Sequence, residues 1–485
     1  MSQNSFGIHI ILAIAMVLLT MPGPKLVRLG LIAIALAALF HAKHQINKPP
    51  DFIDGNKQYM EIQILKVATK YFRRGLHAYG KGIIKDAKNK EIIGQTIYFM
   101  LKTNTADLFR SQSFKTYANV EKINGPTKAN SFFSYLHKSK IFLYLSNGYV
   151  EKITDKGLKI FHLCLIAHNK INEEFTKNMT KSFLNILPGM LLSSKTNLSR
   201  EQKDMFHDTG TAHLLAVSGL HVGIIGFTIE FILRMFGLGK KLRRIPCILI
   251  IFVYLEIIGS PPSAFRAFTM LAFYWSACYF NRKPNTLSGL INTALLSLLM
   301  DPVLVFDPGF RLSYGVVYYI ILLGVPLANK LKSRITINKF VPKDEITMIS
   351  KLMKKITFSA IDSFSISIAA NMASIPLTFE YFGSISLVGI VANIIVIPMA
   401  WLVIVAGTVT MISLLIHANF LMNISLFIAG TCVAAIETIL MFFVKNMPLF
   451  WNLDTSIHHH GTTIFFIGLF ILPYINLYFQ KIQKS

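Results

Sequence analysis

The chain has 485 residues, 53% of them hydrophobic and 15% charged, with a mean hydropathy of +0.50. Ordinary soluble domains carry about 25% charged residues, so this composition excludes a disordered chain and argues against a soluble enzyme. Its 49 Lys and Arg against 24 Asp and Glu leave +25. That balance suits a membrane protein facing anionic lipid or an anionic substrate, and does not choose between them, because cytoplasmic loops are basic in any case.

Residues 6–21 and 29–41 are apolar runs separated by a turn with Pro22, Pro24, Lys25 and Arg28. No Lys or Arg precedes them, so a two-helix membrane anchor over 1–42 fits better than a signal peptide. Lys25 and Arg28 place the turn in the cytoplasm and residue 43 outside.

Residues 43–160 hold 21 Lys and Arg against 9 Asp and Glu. Alternating runs at 61–68, 94–102, 114–123 and 141–148, punctuated by Gly, Asn and Pro, predict a small β domain, a barrel or a sandwich. GLHAYGKG at 75–82 nearly spells a phosphate loop, but Gly82 stands where Ser or Thr is needed, and the reading is rejected. Residues 161–205 carry apolar pieces too short to span, expected at the membrane interface.

Apolar segments then fall near 210–236, 245–259, 264–280, 286–300, 313–328, 356–376, 385–416, 420–444 and 462–480, with a tail at 481–485. Basic loops at 240–244, 282–283 and 329–355 land inside if the β domain is outside. Several segments are shorter than the roughly 20 residues of a full crossing, as in broken helices that line polar paths. The 385–416 run is one broken helix or two short ones split at Pro398. The expected architecture is a polytopic α-helical membrane protein of about 9–11 membrane segments, some broken or re-entrant, with an inserted extracytoplasmic β domain.

Four constellations carry the chemistry. DTGTAHLLAVSGLHVGIIG (208–226) places His213, Ser218, Gly219 and His221 in or beside a membrane segment. They serve either a polar path or bundle packing. A Ser218–His221 hydrolase would also need an orienting carboxylate and an oxyanion hole, and no third member presents itself. GSPPSAFRAFTM (259–270) breaks a helix at Pro261 and Pro262 ahead of Arg266, a phosphate ligand or the ion-pair partner of Glu256. DPVLVFDPGFRLSYG (301–315) places Asp307 and Arg311 four apart, read as a structural pair. Ser359, Ser363, Ser367 and Asn371 form a polar stripe, a pore wall or a close-packing face, with Asp362 beside it. Cys164, Cys247, Cys278 and Cys432 lie apart with no CxxC, and the His458–His460 run has no accompanying ligand pattern, so no metal or cofactor site is expected.

GTAHLLAVSGLHVG closely resembles the hallmark segment of the ComEC family of competence proteins. GSPPSAFRA, DPVLVFDPGFRLSYGV and FGSISLVGIVANIIVIPMA (382–400) resemble three further segments of that family, in family order. Residues 43–160 take the place of its periplasmic OB-type domain, and 206–480 that of its transmembrane channel domain. The resemblance implies an inner-membrane channel passing single-stranded DNA into the cytoplasm during natural transformation. It implies a non-enzymatic, short form, without the C-terminal metallo-β-lactamase-like domain of many members and without the OB cysteine pair of some. A cytoplasmic ATPase or helicase, a periplasmic DNA receptor and a separate nuclease are the implied partners.

A polyanion crosses a membrane only through a hydrated wall that offers donors. His213, Ser218, Gly219, His221, Pro262, Arg266, Ser363, Ser367 and Asn371 are the candidate lining. Arg73, Arg74, Lys81 and Lys85, with Tyr71, Phe72, Phe99, Tyr117 and Phe133, are the candidate DNA contacts and stacking platforms outside. An ion-coupled transporter of a small anion and an intramembrane serine hydrolase are the competing readings.

Overall fold

The computed structural model describes residues 57–72, 75–105, 107–123, 133, 136–137, 141–177, 185–194, 198–300, 304, 307–334, 348–382, 384–386, 388–446, 450–452 and 461–484. The expected anchor over 1–42, Arg73 and Arg74, Asp301 and the histidine run at 458–460 lie outside them.

Five strands, β1 (Lys57–Phe72), β2 (Gly75–Ala87), β3 (Thr96–Lys102), β4 (Ser113–Lys122) and β5 (Leu143–Asp155), close a barrel in the order β1-β2-β3-β5-β4. All pairs are antiparallel except β3 with β5. This is the OB-type barrel. β1 is long enough to serve two neighbours: Lys57–Gln63 pair with β4, while the strand runs on beside β2. The core is the inward set of each strand, including Ile62, Ile64, Ile84, Ile97, Phe99, Leu101, Phe114, Val120, Leu143 and Leu145. Phe99, expected as a stacking platform, is fully buried edge-on to Phe114 at 5.6 Å. Period-2 alternation in TIYFMLK sends it inward.

The alternation does not mark β2, because its inward residues are Ala78, Gly80, Gly82 and Ile84, which hide the pattern. Space explains the small residues. A Cβ on Gly82 would come within 2.6 Å of Ile62 Cγ2. The near-miss phosphate loop is thus a barrel strand.

The helices are α1 (Lys159–Lys177), α2 (Ile186–Leu192), α3 (Arg200–Asp208), α4 (Gly219–Met235), α5 (Arg244–Ile257), α6 (Pro262–Tyr279), α7 (Thr286–Met300), α8 (Pro308–Tyr319), α9 (Val325–Arg334), α10 (Met348–Phe382), α11 (Val388–Leu415), α12 (Asn419–Asn446) and α13 (Gly461–Lys484). A π-helical turn, Ile320–Gly324, joins α8 to α9. Strands β6 (Ser384–Ser386) and β7 (Phe450–Asn452) pair antiparallel. Among the described residues, Pro308–Arg334, Met348–Glu380, α11 and α12 are long and apolar enough to cross a membrane. α4, α5, α6 and α7 are shorter, at 17, 14, 18 and 15 residues. The 385–416 run resolves as one helix, α11, with Pro398 inside it. α2 is buried along its whole length, and α13 runs on through residues 481–484.

The described residues form two compact units, one within 185–248 and 262–484, the other within 57–177 and 249–261. The barrel unit thus includes α1 and the end of α5. Within it, Arg110 pairs with Glu256 at 3.5 Å, Ser260 donates to Glu256 at 2.7 Å, and His168 Nδ1 donates to the Ile257 carbonyl at 3.0 Å.

Candidate functional site

Parts of the four segments that carry the family resemblance meet within the helical unit: 208–221, 263–267, 307–313 and 386–389. Ser218 caps α4 from an extended conformation. His221, one turn on, turns its Nδ1 back to accept from the Ser218 hydroxyl at 2.8 Å and from its backbone N–H at 3.3 Å. The Ser–His pair is therefore a helix cap. His221 is fully buried, and its Nε2 has no hydrogen-bond partner among the described residues. No carboxylate among those residues orients the ring.

The start of α6 packs onto the start of α4. Ser263 Oγ donates to the Val217 carbonyl at 3.0 Å, and a Cβ on Gly219 would lie 3.3 Å from Ala267 Cβ. The start of α8 joins through Arg266, whose Nη2 donates to the Gly309 carbonyl at 2.9 Å and to Ser313 Oγ at 2.7 Å. Arg266 is 6% exposed. Within its own unit the guanidinium holds α8, and in the barrel unit Glu256 takes Arg110 and Ser260. Asp307, expected to pair with Arg311, instead caps α8 by accepting from the Phe310 N–H at 3.0 Å. Pro308 follows at the first helical position, where its missing N–H costs nothing.

The fourth segment enters at Gly210, whose φ of +67° is a conformation glycine adopts freely. A Cβ there would meet Ser386 at 3.4 Å and the Gly389 Cα at 3.5 Å. Ser386 Oγ also donates to the Asp208 carbonyl at 2.6 Å. His213 hydrogen-bonds the Gly210 backbone and is exposed. Gly219 and Pro262 are also exposed.

Three helices, α4, α6 and α8, therefore begin at one place. Helix N-termini carry about half a positive charge and unpaired N–H groups. Asp307 caps the α8 end and the Ser218–His221 pair the α4 end, with the Arg266 cation bonded to the first turns of α8. Broken membrane helices that aim their N-termini at one point favour an anion there.

The serine stripe stands apart. Ser367 is buried, Ser363 and Asn371 are half-buried, and Asn371 Nδ2 donates to the Ser367 carbonyl at 2.9 Å. The neighbouring stripe, Ser365, Ala369, Ala373 and Leu377, is fully buried, its last three residues in the core around Tyr314 and Phe465. Small residues let these helices approach closely. Asp362 pairs with Lys332 at 2.5 Å.

On the barrel, Lys81 and Lys85 share the outward side of β2. Their setting emerges only from the strand pairing. Lys81 faces Tyr98 across β2 and β3, Tyr79 faces Met100, and His77 faces Lys102. Tyr98 stacks on Tyr144 at 6.2 Å and 14°, and Phe133 meets Tyr144 edge-on at 5.3 Å. Burial, with Tyr79 and Tyr144 adjacent, pushes the Tyr98 phenol up to about 12. Burial and then Glu121 raise Tyr144. Tyr98 and Lys102 were not among the expected contacts, although the outward positions of TIYFMLK carry them. Tyr117 lies exposed on β4 against Tyr59, with ring centroids 4.7 Å apart.

Fold and site together define a helical membrane protein with an inserted OB-type barrel. A model of the competence protein family matches residues 190–478, the stretch holding all four constellations, and the chain belongs to that family, the ComEC family of the motif resemblance. It is 23% identical to ComE operon protein 3 of Bacillus subtilis over 48% of this chain and 27% of that one. It is 24% identical to Recombination protein 2 of Haemophilus influenzae over 37% and 24%, and 27% identical to an uncharacterised protein of Aquifex aeolicus over 43% and 49%. The matches thus span a quarter to a half of these relatives' lengths. No solved structure matches the chain.

Proposed function

We propose that the chain is a conduit for single-stranded DNA in the bacterial inner membrane, serving DNA uptake in natural transformation. The observation that carries this reading is the convergence of the α4, α6 and α8 starts with Arg266. Helix N-termini beside a guanidinium favour phosphate and bind it through geometry no single base dictates.

The barrel, placed in the periplasm, collects the strand. Tyr79, Tyr98, Tyr144 and Phe133 offer stacking surface at about 1–3 kcal/mol per base, and Lys81, Lys85, Lys102 and Lys122 offer phosphate contacts. The chain acts without catalysis of its own. An ATPase or helicase on the cytoplasmic side pulls, a periplasmic receptor delivers the DNA, and another protein degrades the second strand. The Ser218–His221 pair favours this over hydrolysis, because a capping serine whose histidine lacks an orienting acid among the described residues is poorly activated.

Labelled DNA supplied to cells lacking the protein, scored separately in periplasm and cytoplasm, tests the proposal. Arrest in the periplasm is expected; normal arrival in the cytoplasm would overturn it.

A further inference from the structure

Glu437 lies in α12, where no other charged residue falls between 419 and 444. A carboxyl at such depth is costly unless something there answers it. It lines a cavity of about 480 Å³, together with Asn185, Ser199, Glu201, Gln202 and Met205 from the α2–α3 region and Met441, Val444 and Lys445 from α12. The α12 residues fall at steps of four, seven and eight from Glu437, along one helix face. Lys445 is about 12 Å further along the axis, near the end of the span. The cavity thus follows the helix from its rim to the carboxyl.

Gln202 is 7% exposed, and its Nε2 donates to Glu437 Oε1 at 3.0 Å. The Ser199 capping box fixes that amide: Gln202 N–H donates to Ser199 Oγ, and Ser199 N–H donates to Gln202 Oε1. A rigid donor is therefore built to meet a carboxylate inside a membrane helix.

The geometry points to Glu437 as a proton-exchange site, a carboxyl within the membrane span reached from water along this cavity. A divalent metal is the poorer ligand, since it wants six or more oxygens and Lys445 repels it. Among helices packed on α12, α2 and α11 carry no ionisable side chain. On α3, Glu201 lines the cavity, Lys203 is exposed, Arg200 pairs with Asp204 at 3.9 Å, and His207 with Asp208 at 3.2 Å. The site stands independently of the DNA reading.

The full chain in lipid nanodiscs is treated with a lipophilic fluorescent carbodiimide and mapped by peptide mass. The protonated carboxyl adds its O–H across one C=N bond to form an O-acylisourea, which rearranges to a stable N-acylurea with no leaving group. Labelling of the Glu437 peptide is expected, faster as pH falls, and slowed by a water-soluble carbodiimide. Gln202→Leu removes the amide that occupies Glu437 Oε1 and raises the labelling rate. Glu437→Gln abolishes the label. Absence of label at Glu437 in the folded chain, when the denatured chain is labelled, overturns the site. So does labelling that the water-soluble reagent cannot slow, which would mean a lipid-filled cavity. Should Glu437→Gln fail to fold, the wild-type and Gln202→Leu maps decide.

Discussion

Arg266 Nη2 and Ser313 Oγ meet at 2.7 Å, and that bond ties the start of α6 to the first turns of α8. The two residues are 47 positions apart. One sits four residues after a double-proline break, the other six residues after a capping aspartate. A buried guanidinium needs its donors answered, and α8 supplies a carbonyl and a hydroxyl, both to Nη2.

Ser313→Ala removes one acceptor from this buried cation. A loss of about 1–3 kcal/mol is expected in thermal unfolding of the purified chain. Arg266→Lys keeps the charge but gives up the planar fork. DNA arrival in the cytoplasm should fall at least as far as in Ser313→Ala. Full uptake in Arg266→Lys would show that Arg266 takes no part in passage.

Gly210→Ala places a side chain at φ +67° against Ser386 and Gly389. A cost of about 1–2 kcal/mol is expected from the backbone alone. The melting temperature of Gly210→Ala against wild type measures it.

Ser218→Ala deletes a helix cap worth about 1 kcal/mol. A small stability loss with retained uptake is expected. Uptake abolished at unchanged stability would instead point to a reacting hydroxyl.

Charge reversal at Lys81, Lys102 and Lys122 on the full chain should weaken oligonucleotide binding and flatten its salt dependence, by roughly 0.7 in log–log slope for each phosphate left unneutralised. Fluorescence anisotropy across a salt series reads both. Tyr98→Ala should lose affinity with little change in slope, since stacking releases no counterions.

The barrel carries a pH signature of its own. The folded Tyr98 phenol holds its proton to about 12, whereas an unfolded tyrosine releases it near its ordinary value of 10. The unfolded state therefore binds fewer protons between those values, and stability falls as pH rises through the window. Burial lowers His168, with the sign reversed: its native form is neutral, so acid below its ordinary value of 6.5 favours release of α1 from the Ile257 carbonyl. Circular dichroism melts of Tyr98→Phe and His168→Gln should each show the corresponding limb reduced, with Tyr144 retaining part of the alkaline one.

Four of the five barrel strands were legible because alternation is local; β2 was not, because its inward wall is Ala and Gly. The 385–416 run left one helix or two open, since a proline inside an apolar stretch is tolerated when neighbours re-satisfy the backbone. Arg266 was legible as a buried cation, but its bonds to Gly309 and Ser313 were not, because those residues come near it only after folding.

The sequence alone determined composition-level facts and local order: a membrane chain, a small β domain, broken helices and four motifs in family order. These depend on hydrophobic period and on breakers, which act over a few residues. Only the tertiary structure decided that Gly210 lies on Gly389, that Gly219 lies on Ala267, that Tyr98 stacks on Tyr144 and that Gln202 reaches Glu437 across 235 positions. Those pairings come from close packing of small residues and from the need of buried donors for acceptors, and both are settled only when distant segments meet.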